Sequence, residues 1–201
     1  MNNNHFAEII ESSLHSFKAQ CWQWDQPPTF GSLVAIQDGT KTIFALVAQS
    51  EMGSMDPVHY PFPYQKTQEE LRRDQPQIFE FLKTTFSGLI VGYREKGRIA
   101  YLAPSAPPKI HAFVSIVSGD FAREFFANSA YLHLIFASAQ HMVSVDEFLL
   151  AVLHHHVDAC LLSEQSLHEF LETFSLLTGN DYRRLKLFLQ RIQPLYESKS
   201  L

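Results

Sequence analysis

The sequence predicts an α+β fold, a small antiparallel β-barrel followed by an α-helical bundle, on three observations. Short β-rich runs separated by tight-turn signals occupy the chain from about residue 30 to 117. Beyond about residue 118 the apolar residues fall at helical spacing instead. The chain has 201 residues, 46% of them hydrophobic and 18% charged, which suits a globular domain with a smaller second one.

Taken in order, Ile9, Ile10, Leu14 and Phe17 lie near helical spacing and predict a short amphipathic helix over residues 5–18. Phe30 to Gln37 and Thr42 to Gln49 are β-rich runs joined by Asp38-Gly39, a strong hairpin signal. Ser87 to Arg94 and Arg98 to Ala103 repeat that pattern around Lys96-Gly97. Lys109 to Val117 follows the stiff Pro104–Pro108 connection and supplies a further strand. Five or six short strands with tight turns suggest a small closed barrel.

Between the two strand pairs lies Pro61 to Phe86, far longer than a hairpin needs and therefore a functional or interaction element. Thr67 and Glu70 have the spacing of a capping box and start one short helix. Asp74-Gln75-Pro76 starts a second, whose apolar face is Ile78, Phe79, Leu82 and Phe86. In the C-terminal part, Ser144 with Glu147 and Ser166 with Glu169 mark helix starts. Thr178-Gly179-Asn180 stops one helix, and Leu185, Phe188, Leu189 and Ile192 define a last one before Pro194. The expected division is a helix and lead-in at 1–29, a barrel at 30–117 with a helical insert at 61–86, and a helical domain at 118–201.

The net charge of -5 gives no overall attraction to a phosphate backbone, so nucleic-acid binding is not expected. Cys21 and Cys160 are the only cysteines and sit outside any CxxC, which predicts two reduced, buried thiols. The start of the chain lacks the basic and apolar stretches of a secretory signal, and no apolar run approaches the roughly 20 residues of a membrane helix. The expectation is a soluble, cytoplasmic protein with no membrane partner.

Phe30-Gly31-Ser32-Leu33-Val34, Thr42 to Val47, Val91-Gly92-Tyr93 and Ile99 to Pro108 together resemble the HAS-barrel family, the small barrel shared by HerA-type ATPases and the ATP synthase. Tyr64 to Phe86 looks like an insert of its cyanobacterial or archaeal members. The resemblance covers roughly half of the chain. It implies a barrel that helps a ring ATPase assemble and docks partners such as a nuclease. The ATPase core itself is missing: no GxxxxGK[ST] string occurs, and Gly39-Thr40-Lys41-Thr42 lacks the spacing that cradles phosphate.

His154-His155-His156, with Asp158 and Cys160, is the one cluster with metal-ligand chemistry. Neighbouring helical residues point about 100° apart, so three adjacent histidines do not converge on one ion. His154 with Asp158, or His156 with Cys160, has the i, i+4 spacing that would, and either pair needs His133 or His141 besides. The simpler expectation is a helix end with packed histidines, and no metal or cofactor. No GxSxG elbow occurs, and Cys21 has no local signature of activation, so no catalytic residue is expected. Glu69-Glu70 falls in a helix first turn, where it complements the dipole.

Basic residues cluster at Lys66, Arg72 and Arg73, and again at Arg183, Arg184, Lys186 and Arg191. Tyr60, Phe62 and Tyr64 interleave with prolines, which stiffen a loop and lower the entropic cost of offering its aromatics to a partner. The functional expectation is a non-enzymatic interaction module that docks onto a protein partner, or self-assembles, through Tyr60, Phe62, Tyr64, Lys66, Arg72 and Arg73. The alternative from another class is a metal-dependent hydrolase built on His154 and Asp158.

Overall fold

Alternation of apolar and polar residues builds the barrel from its first described residue. In the computed structural model, which describes residues 5–56, 61–139, 144–159 and 163–197, strands β1 (His5–Ser12) and β2 (Ser16–Cys21) pair antiparallel. Ala7, Ile9, Phe17, Ala19 and Cys21 are buried in one cluster, and Glu8, Lys18 and Gln20 alternate with them. The helix expected over residues 5–18 is therefore replaced by two strands. Ile10 and Leu14, which suggested it, are exposed. The period-2 pattern wins because two further strands are needed to close the barrel.

The next strands are β3 (Leu33–Asp38) and β4 (Lys41–Ser54), followed beyond the insert by β5 (Leu82–Glu95), β6 (Arg98–Ala100) and β7 (Phe113–Ile116). The sheet order is β2-β1-β7-β3-β4-β5, and pairing of β2 with β5 closes it into a six-stranded antiparallel barrel, with β6 added outside β5. Both expected hairpins form, with Asp38 opposite Lys41 and Glu95 opposite Arg98. Where β2 crosses β5, Phe17 lies opposite Gly88, and a Cβ there would sit 2.4 Å from the Phe17 ring. The missing side chain is what lets that ring fill the interior.

Helix α1 (Gln68–Asp74) in the insert starts at the expected capping box, with Thr67 accepting from Glu70 N–H and the Glu70 carboxylate accepting from Thr67 N–H. The second insert helix is shorter than predicted. It is a 3-10 turn over Pro76–Phe81, and the chain is already strand at Leu82. Phe86 points into the barrel beside Phe6 and Phe17, so it belongs to the strand's inner face and not to the expected helix face.

The C-terminal part is helical as expected, in α2 (Asp120–Phe126), α3 (Tyr131–Ala137), α4 (Val145–Asp158), α5 (Glu164–Leu177) and α6 (Tyr182–Glu197). Ser144 caps α4 as predicted, whereas α5 is capped by Ser163, which places Ser166 within the helix. Helix α6 also runs through Pro194 instead of ending before it. A proline so close to the end removes only one intrahelical bond.

The boundary expected near residue 118 does not divide the core. Leu33, Ala35, Phe44, Leu46, Leu89 and Val91, on the strand faces opposite the barrel interior, share one cluster with Phe125, Leu132, Phe148, Leu149 and Leu153 of the helices. Strands buried on both faces read as near-continuous apolar runs, and Ile43 to Val47 is such a run. Gly31 sets the closest approach. It has φ +83°, and a Cβ would meet the α4 backbone at Val152 N, 2.7 Å away.

Candidate interaction site

The insert leaves the end of the long β4–β5 ribbon and folds back beside the lead-in segment that follows β2. One side of it is anchored. Phe79 stacks on Trp24 with ring centroids 5.6 Å apart, and Arg72 lies over Phe79 while its guanidinium donates to Asp25 at 3.1 Å. Thr84 Oγ1 also donates to the Trp24 carbonyl. The other basic residues are paired too: Lys66 and Arg73 both bind Asp74, each at 2.9 Å. Hydrogen bonds from Arg73 and then Lys66 hold the Asp74 carboxyl below its ordinary range. Of the expected basic surface, Arg72 thus orients the insert on the barrel, and Lys66 and Arg73 neutralise an acid within it.

The opposite side of the insert is apolar and open. Pro61, Phe62, Tyr64, Ile78, Phe81 and Leu82 line a groove of about 480 Å³, with Ser54, Asp56, Gln75 and Gln77 as its polar members. Phe62 and Phe81 are 69% and 57% exposed, and Phe62 meets Tyr64 edge-on at 5.6 Å. Met52, near the end of β4, and Met55, just after it, are exposed as well. Phe62 and Tyr64 thus share one surface, joined by Ile78 and Phe81 of the 3-10 turn, while Tyr60 lies outside the described residues.

Of the histidine run only His156 packs into the core, while His154 is exposed and His155 half-buried. His156 is fully buried, its ring centroid 3.7 Å from that of Phe126, and neither ring nitrogen has a partner among the described residues. Burial, with a smaller contribution from His155, lowers its pKa to about 3, so it is neutral. Among the described residues no three His, Cys, Asp or Glu groups come together in a way that could hold a metal. His141 and Cys160 lie outside the described residues, and only the backbone of Asp158 is described. Cys21 sits in the barrel interior, where burial pushes its thiol up to about 11, far from the thiolate a nucleophile needs.

The second basic cluster ties two helices together. Arg184 grips both Asp146 oxygens, its Nη2 at 2.6 Å from one of them, and stacks on Phe136 and Phe174, while Arg191 pairs with Glu147. Both acids stand in the first turn of α4.

One exposed surface escaped the sequence reading. Trp22 stands edge-on to Phe113, 5.4 Å away, beside a larger cleft on the barrel wall. The available signal was Gln20-Cys21-Trp22, in which an inward Cys21 sends Trp22 outward by strand alternation.

No protein-family model matches the chain, and no curated protein matches it. No described helix is long and apolar enough to cross a membrane.

Proposed function

We propose that this chain is a non-enzymatic interaction module whose insert docks a partner protein. The observation that carries the reading is the apolar groove on the insert, with Phe62, Phe81 and their neighbours presented to solvent from a base anchored by Trp24, Phe79 and Arg72. Exposed aromatics gathered in one patch are a mark of interaction surfaces. An anchored base lowers the entropy lost on binding. The resemblance to HAS-barrels adds a partner class, a ring ATPase or its nuclease, and with it a place in DNA processing in the cytoplasm.

Because Arg72 is occupied within the fold, the discriminating variants are apolar. The test is co-purification from native lysate with mass-spectrometric identification, comparing wild type with a Phe62→Asp/Phe81→Asp double variant. A specific partner retained by the wild type and lost by the variant is expected. Equal recovery by both sinks the reading. Nothing in the described residues favours the hydrolase alternative on His154 and Asp158.

A further inference from the structure

The cleft beside Trp22 has a volume of about 780 Å³ and opens between the lead-in segment, the end of β7 and the start of α2. Trp22, Ile116 and Phe121 give it apolar walls, Pro28 closes one side, and Gln23, Gln26 and Ser118 supply amide and hydroxyl groups. Trp22 is 54% exposed. His5, at the start of β1, is the one titratable residue of the lining, and no Asp, Glu, Lys or Arg joins it, although the chain carries 21 acidic and 16 basic residues. Such a surface offers a ligand no permanently charged partner. The ligand needs flat apolar faces for the indole and carbonyls for the donors.

An extended proline-bearing segment meets each condition. Its backbone makes no internal hydrogen bonds, so its carbonyls are free to accept from indole, amide and hydroxyl groups. Proline rings pack on aromatic walls, the mode by which small domains with aromatic grooves take proline-rich chains. The molecule itself presents one. Pro61 to Gln65 carries no charge and lies outside helix and strand, and its residues are exposed. Pro61 and Pro63 fix φ, and Phe62, preceding a proline, is held extended. In the folded chain this segment borders the insert groove and not the Trp22 cleft.

We propose that the Trp22 cleft receives the Pro61–Tyr64 segment of a second copy of this chain. The contact is head-to-tail, each copy offering its segment to one neighbour and its cleft to another, which builds rings or open chains. The inference rests on the insert acting as a docking element and names the surface on which it docks.

Sedimentation of the wild type over a concentration series, with Trp22→Ala and Phe62→Ala alone and mixed, tests it. The wild type should associate progressively, and each variant alone should associate at least about ten-fold more weakly. An equimolar mixture of the two should recover a one-to-one complex and stop there, because only one intact segment and one intact cleft remain. A capped peptide of residues 61–65 should also shift the tryptophan fluorescence of the wild type, and Trp24→Phe should keep that response. This arm does not depend on either variant folding. A wild type that stays monomeric at every soluble concentration overturns the inference, even where the free peptide binds, since the cleft then serves a foreign segment. Association lost in Phe62→Ala but kept in Trp22→Ala overturns the cleft and leaves the docking role of the insert standing. A mixture that fails to associate also overturns it.

Discussion

His156 shows what a single side chain costs when it is buried with no hydrogen bond to it among the described residues. Free histidine titrates near 6.5, and in the fold this ring is held at about 3. Between those values the unfolded chain takes up the proton and the folded chain does not, so stability falls as pH drops below 6.5. The loss approaches about ten-fold in the folding equilibrium per pH unit, levels off below about 3, and vanishes above 6.5. His156→Leu should remove this contribution while staying within about 1 kcal/mol of wild type at pH 7, since a packed apolar side chain replaces two unpartnered nitrogens. Urea unfolding at pH 7, 5.5 and 4.5 checks it. Parallel losses in both proteins would place the acid sensitivity elsewhere.

At the scale of elements, the anchored insert and the helix that opens it have separate stabilities. No residue of α1 is buried, so its order rests on the capping box and on the ties of Arg72 and Lys66. Thr67→Ala should cost the helix about 1 kcal/mol, seen as faster amide exchange over residues 68–75. The global urea midpoint should hold, because the barrel and its covering helices do not use that cap. A matching fall in the midpoint would mean that α1 is cooperative with the core. The capping box was legible in the sequence because its chemistry is local, as were the hairpins at Asp38-Gly39 and Lys96-Gly97. Residues 5–18 were misread because Ile9, Ile10, Leu14 and Phe17 satisfy a helical spacing, while the deciding contact, β2 against β5, joins segments far apart in the chain. The same limit applies to the sites. Phe62 and Tyr64 are neighbours in sequence and could be read together, whereas Trp22 meets Phe113 only after the barrel closes.

For the whole molecule, the shared core decides whether barrel and helices are separable. The sequence suggested two units because the texture changes near residue 118, and that change reports secondary structure, not independence. Leu33, Phe44, Leu46, Leu89 and Val91 face the helices, and Gly31 lies against the backbone of α4. Each large apolar side chain returned to water costs roughly 1.5–3 kcal/mol, so exposing five costs on the order of 10 kcal/mol. That equals the whole stability of an ordinary domain, about 5–15 kcal/mol. A chain ending at residue 118 should therefore fail to give a monomeric, cooperatively melting barrel and should aggregate through the bared face of β3, β4 and β5. Size-exclusion chromatography with near-ultraviolet circular dichroism checks it. The helices are then not an appendage on a self-sufficient barrel but the second layer of one core. They leave the β1–β7 side, with Trp22 and Phe113, as the barrel wall free to meet another molecule. A soluble truncated barrel with a sharp thermal transition would show that the interior cluster around Ile9, Ile36 and Phe86 holds the strands unaided, and the shared-core account would fall.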